Sequence, residues 1–148
     1  MPIDVVSEVV IARPRGEVAA YAVDPDTATA WYANIASVEW ETPRPLAVGS
    51  RLAFVARFLG RRLAYTYEVI DWVPGERFTM RTAQGPFPME TTYTWTDAGP
   101  GATRMALRNR GEPAGFARLA GAALAAQVRR STARDLELLR RLLEEGPR

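Results

Sequence analysis

Any chemistry in this chain has to be done without thiols or imidazoles, because the sequence contains no cysteine and no histidine. That excludes thiolate nucleophiles, histidine-based triads, imidazole metal sites, histidine-ligated haem and cysteine-type zinc sites. The remaining candidates for catalysis are phenols. Tyr65, Tyr67 and Tyr93 fall on the apolar register of alternating stretches. A tyrosine, with a pKa near 10 in model peptides, can give up a proton as a general acid without tuning but needs a large lowering to act as a base. No assignment among the three follows from the sequence. The facing of the carboxylates Glu8, Asp71 and Asp135 is not fixed, and no convergent acid pair or metal-ligand cluster stands out. Gly75, Gly85, Gly99 and Gly101 lie in turns without phosphate-loop spacing. Neither a metal nor another cofactor is expected.

The same alternating stretches point more strongly to binding. Trp40, Phe54, Phe58, Tyr65, Tyr67, Phe78, Tyr93 and Trp95 share one register with Met80, Met89 and Met105. Large rings beside flexible thioethers form adaptable walls for a planar or lipid-like molecule. A buried phenol also needs a hydrogen-bond partner, which a ligand or a pocket water can supply. Asn109, at the end of the last strand, and Gln127 and Ser131, four apart on a helix, are the other polar groups placed to orient such a ligand.

These residues need a sheet and a helix to hold them. Residues 3–12 are β-branched and stop at Arg13-Pro14, which reads as a first strand. Pro14 opens a helix that runs through Val23, Asp24-Pro25-Asp26 breaks it, and Thr27 to Asn34 reads as a second short helix. From Ile35 the apolar period becomes two. Val38 and Trp40 begin the alternation, and a hairpin turns near Leu59-Gly60-Arg61. Further strands are punctuated by Pro74-Gly75, by Gln84-Gly85-Pro86 and by residues 97–101. Arg51, Arg57, Glu68, Arg81, Glu90, Arg104 and Arg108 take the opposite register, an outer face of alternating charge. In this parity Trp72 stands away from the inner face.

One element remains to cover that inner face, a helix from Pro113 to about Glu145. Its first half is built of small residues and its second of leucines. Alanines such as Ala123, with Gly121, either leave a cavity against the sheet or allow close helix-to-sheet contact; both readings stand. A fold of one strand, two short helices, about six strands and a closing helix is expected to enclose a pocket at its open end.

Composition sets the frame. With 148 residues and 47% hydrophobic content, one domain spanning residues 1–148 can bury roughly two-thirds of its unfolded surface. The net charge of +2 and pI of 9.4 rest on arginine alone, since lysine is absent. Those arginines are interspersed with acids rather than gathered into a stripe, which argues against nucleic-acid binding. No apolar run reaches the roughly 18 residues of a membrane span, and the N-terminus lacks a signal-peptide pattern. The expectation is a soluble cytoplasmic protein, monomer or homodimer, without membrane insertion.

Taken together, VVIARPRGEVAAYAVDPDTATAWYANI near the start, the central YEVIDWVPGERFTMRT and the closing STARDLELLRRLLEE resemble the START-related helix-grip superfamily. This SRPBCC-type group includes polyketide cyclase/dehydrase and lipid-transport proteins. The resemblance spans essentially the whole chain. It implies an α+β helix-grip fold, a curved antiparallel sheet of about seven strands wrapped around a long C-terminal helix, with two short helices after the first strand. It also implies a cavity for hydrophobic or aromatic molecules, polyketides or lipids. It does not imply catalysis, because members range from cyclases to carriers. Binding of a hydrophobic, ring-containing molecule is therefore the leading expectation. A cyclase or dehydrase with a pocket tyrosine as general acid comes second, and a docking protein third. The expected binding residues are Trp40, Phe54, Phe58, Tyr65, Tyr67, Met80, Met89, Tyr93, Trp95, Met105, Asn109, Ala123 and Gln127.

Overall fold

A computed structural model describes residues 3–58, 60–85, 88–112 and 116–145, with side chains for all of these except 58 and 116–121. Strand β1 (Ile3–Ile11) is followed by α1 (Arg15–Val23), a 3-10 turn at Pro25–Thr27 and α2 (Ala28–Trp31). Six strands then run in succession: β2 (Ile35–Trp40), β3 (Arg51–Phe58), β4 (Arg61–Val73), β5 (Arg77–Gln84), β6 (Met89–Asp97) and β7 (Thr103–Gly111). The closing helix is α3 (Phe116–Glu145). All pairings are antiparallel, in the order β1-β7-β6-β5-β4-β3-β2. The expected start of α3 at Pro113 lies outside the described residues.

Alternation decides which side of each strand is covered. On β1, Ile3, Val5 and Ile11 are buried while Asp4, Val6, Glu8 and Val10 are exposed. Glu8, undecided from sequence, thus points outward and pairs with Arg104 at 3.7 Å. Its neighbours on the outer face pair likewise, Asp4 with Arg108 at 2.6 Å and Arg51 with Glu68 at 3.2 Å. Arg81 stands in register between Glu68 and Glu90. Such exposed pairs add little stability, but a one-residue slip would bring these charges into the core, so they help fix register.

The ladders carry three register shifts, one on β2–β3 and two on β4–β5, and the last of these changes a facing read from the sequence. The ladder pairs Val69 with Met80 and Asp71 with Thr79, leaving Ile70 as an extra residue in a bulge. A bulge shifts every later side chain to the other face. Trp72 therefore turns inward, meeting Phe78 edge to face at 6.0 Å, and is no bystander. Asp71 turns outward and pairs with Arg77.

The second helix is also shorter than the reading Thr27 to Asn34. Tyr32 leaves the helix with an extended backbone. Its ring packs on Trp31 with centroids 4.0 Å apart. A four-residue helix has too few internal bonds to persist unaided. These contacts decide where it ends.

The inner face holds two apolar groups. The larger joins Ile11, Val18, Trp31, Phe78, Tyr93, Trp95, Met105 and Leu107 to Leu136, Leu139 and Leu143 of α3. The smaller joins Ile3 and Val5 to Leu124 and Val128. On the α3 face between them sit Ser131, Thr132 and Asp135, all buried. Leu139 is fully buried in the larger group, so Leu139→Ala should cost about 2–5 kcal/mol of unfolding free energy. Arg108→Gln should leave the denaturation midpoint nearly unchanged. Urea titration checks both, and a Leu139→Ala loss no larger than that of Arg108→Gln would contradict this packing.

Candidate ligand-binding site

A cavity of about 150 Å³ opens beside the buried polar stretch of α3. Leu124, Val128, Ser131, Thr132 and Asp135 form its helical wall. The sheet contributes Ile3, Ile35, Ala56, Leu63, Tyr65, Tyr67, Met89 and Asn109, and the α2–β2 connection contributes Tyr32 and Asn34. The strand positions follow from alternation, because Leu63, Tyr65 and Tyr67 are successive inward residues of β4. Two glycines make room for the wall. A Cβ on Gly85 would lie 2.5 Å from Tyr65 Cδ1, and one on Gly111 would lie 2.2 Å from Met89 Sδ. The bare backbone at these positions lets both side chains stand where they do.

Polar groups tie the connection to the helix. Asp135 Oδ1 accepts the Ala33 N–H at 3.0 Å, and Asn34 Nδ2 donates to Ser131 Oγ at 3.2 Å. Thr132 Oγ1 lies 2.7 Å from Ser7 Oγ and donates to the Val128 carbonyl at 3.0 Å. Across the cavity, Thr91 Oγ1 donates to Asn109 Oδ1 at 2.7 Å. The Tyr32 and Tyr93 hydroxyls hydrogen-bond to each other.

Burial separates the roles of these groups. It pushes the Tyr65 phenol up to about 12 and raises Tyr67, Tyr93 and Tyr32 well above the ordinary phenol value. All four stay protonated at neutral pH, as donors and not as bases. Burial also raises the Asp135 carboxyl to about 6, opposed by the Ala33 N–H and the Arg134 charge. Asp135 thus titrates near neutrality on the cavity wall.

The structure brings together five of the residues expected from sequence: Tyr65, Tyr67, Met89, Asn109 and Ser131. It places Phe54, Met80 and Tyr93 behind Tyr32, around a separate gap of about 10 Å³, the lower limit for one water. Trp95 and Met105 are sealed in the core. Trp40 sits at a distant rim, where its ring lies 4.5 Å from the Arg44 guanidinium and its Nε1 donates to Asp26 Oδ1 at 3.1 Å. Ala123 is exposed. Gln127 is half-buried and accepts from Arg130 at 2.8 Å. The Phe58 side chain lies outside the described residues. The cavity does lie against the small-residue half of α3, but Leu124 and Val128 form its wall there, while Ala122 and Ala123 face outward.

Sequence reasoning missed Tyr32 and Asn34 and left Asp135 open. A signal for Asp135 exists. Leu124, Val128, Ser131, Asp135, Leu139 and Leu143 recur at helical spacing, so the carboxylate falls within the buried stripe.

A curved antiparallel sheet closed by one long helix over a cavity defines a helix-grip protein. The match is to the family described as "Polyketide cyclase / dehydrase and lipid transport" over residues 2–144, and the chain belongs to that family. Among solved structures, TTHA0849 from Thermus thermophilus superposes with a TM-score of 0.84, covering 97% of this chain and 99% of that one at 21% identity. The Zhui aromatase/cyclase from a Streptomyces species gives 0.78 over 95% and 92% at 17% identity. A START superfamily protein from Mycobacterium smegmatis gives 0.71 over 96% and 94% at 17% identity. At these identities the likeness shows the fold. No curated protein matches the chain by sequence.

The raised Asp135 pKa sets a pH dependence. Between the ordinary carboxylate value of 3.8 and about 6, the folded chain binds more protons at this site than the unfolded chain does. The site's contribution to stability therefore falls as pH rises through that window. Asp135→Asn keeps an acceptor for the Ala33 N–H and removes the titration. The melting temperature of the variant relative to wild type should rise from pH 4 to pH 7 and then level off. Equal offsets at pH 4 and pH 7 would show that Asp135 is not held in this environment.

Proposed function

We propose that this protein binds one hydrophobic, ring-containing small molecule in the cavity between α3 and the sheet. The carrying observation is the cavity of about 150 Å³ with largely apolar walls, which Ser131, Thr132 and Asp135 line from the helix and Tyr65, Tyr67 and Asn109 from the sheet. That size accommodates a benzene-sized ring in other proteins. A longer polyketide or lipid would need Tyr65 or Met89 to swing aside. The family's description is consistent with such cargo. Among the described residues, no helix is long and apolar enough to cross a membrane.

A cyclase or dehydrase is the second reading, favoured by the joint presence of protonated tyrosines and a carboxylate that titrates near neutrality. Ring closure of a reactive carbonyl chain uses a base to remove a proton beside one carbonyl and a donor to polarise another. Tyr65 or Tyr67 could supply the donor. The cavity would hold the chain in a reactive fold.

Filling the cavity tests the first reading. Val128→Trp should weaken binding of 2-phenylethanol, followed by NMR titration, at least tenfold while leaving the fold intact. Unchanged affinity would place binding elsewhere. Tyr65→Phe and Tyr67→Phe separate the two readings. In a carrier each changes binding by about 0.5–1.5 kcal/mol, the weight of one ordinary hydrogen bond. In an enzyme, loss of the acid lowers turnover about 100-fold or more with little change in binding.

A further inference from the structure

The charge of the cavity wall is one-sided. The chain carries nineteen arginines and neither lysine nor histidine, yet no arginine is among the described lining residues. The arginines whose partners are known serve the outer face, the rim and the helix surface. Of the described wall residues, Asp135 is the one carboxylate, and its side chain belongs to a residue only 3% exposed.

Its surroundings leave a place for a donor. Oδ1 is taken by the Ala33 N–H, and Oδ2 has no protein hydrogen bond among the described residues. Two adjacent groups already have partners: Asn34 Nδ2 donates to Ser131 Oγ, and Thr132 Oγ1 donates to the Val128 carbonyl. The Tyr32 hydroxyl is engaged with that of Tyr93. The charged and titratable groups that act on Asp135 are Arg134 on its own helix, whose side chain is exposed, and the Tyr32 and Tyr93 hydroxyls across from it. Inside a protein an anion placed beside a carboxylate meets little screening.

We propose that the cavity selects ring compounds whose polar head donates a hydrogen bond, an alcohol, phenol or protonated amine, and rejects those with an anionic head, with Asp135 as the discriminating residue. This rests on the ligand-binding reading above and adds the chemistry of the cargo. A donor head meets Asp135 Oδ2 and completes its hydrogen bonding, whereas a carboxylate, sulfonate or phosphate head has no cation on the described wall to pair with.

The test uses three probes with one ring and one two-carbon arm: 2-phenylethanol, 2-phenylethylamine and 2-phenylethanesulfonate. Their charges are fixed from pH 5 to pH 8, and NMR titration of the full chain follows each. At pH 8 the sulfonate should bind at least tenfold more weakly than the alcohol, and the amine at least as tightly as the alcohol. The sulfonate penalty should shrink at least threefold in Asp135→Asn, and also in wild type at pH 5, where Asp135 is protonated; the second arm needs no variant to fold. Sulfonate affinity within threefold of the alcohol at pH 8 would overturn the selectivity while leaving hydrophobic binding standing. A penalty unchanged both by the variant and at pH 5 would remove Asp135 from the role. If neither alcohol nor amine binds, the selectivity and the binding reading fall together.

Discussion

One helix has to cover the inner face of seven strands. A helix is about 10 Å across with its side chains, whereas a sheet of seven strands at roughly 4.8 Å spacing is about three times as wide. Curvature brings the sheet partly around α3, and α1, α2 and the 3-10 turn cover more of it. The leucines of the second half of α3 fill the space against Phe78, Trp95 and Met105. Toward Leu124 and Val128 the helix packs on Ile3 and Val5 of the β1 edge, while Leu63, Tyr65 and Tyr67 of β4 stand across the cavity from it. The cavity is what one helix leaves uncovered on a curved sheet.

The polar stretch of α3 has two consequences that follow from its position. Ser131 and Asp135 receive hydrogen bonds from Asn34 and Ala33, so the connection after α2 is held against the helix at the cavity's edge. The same groups make the helical side of the chamber polar. A buried carboxylate with a single backbone donor is costly, and its raised pKa expresses that cost. Trp31 and Trp95 add to it, since their indole N–H groups are buried with no hydrogen-bond partner among the described residues. Stability for these groups comes from the surrounding rings: Trp31 packs on Tyr32 and Tyr93, and Tyr93 on Phe78 and Trp95.

Element order and strand parity were legible in the sequence because a half-buried strand has to alternate. Tyr65, Tyr67, Met89 and Asn109 reached the cavity wall through that rule alone. Trp72 was misplaced because a bulge at Ile70 leaves no mark in the hydrophobic pattern. Ala123 and Gln127 were misplaced for another reason: small or polar side chains say little about which arc of a helix faces the sheet. The leucine and valine spacing fixes that arc, and it carries Asp135 inside. Trp40, Trp95 and Met105 do lie on the inward register, but that register runs the length of the sheet while the cavity occupies one end. Tyr32 and Asn34 were out of reach, since a helix that stops at Trp31 depends on tertiary contacts. The family likeness gives the container, and this chain's own wall residues bear on its contents.

The central claim is that a ring sits between α3 and the sheet. Intermolecular nuclear Overhauser effects from bound 2-phenylethanol test it most directly. Ring protons should contact the Met89 methyl, the Val128 methyls and the Tyr67 ring together in one complex. Contacts confined to Val6, Val10 and Ala106 on the outer face, or to Trp40 at the rim, with none to Val128, would contradict the account.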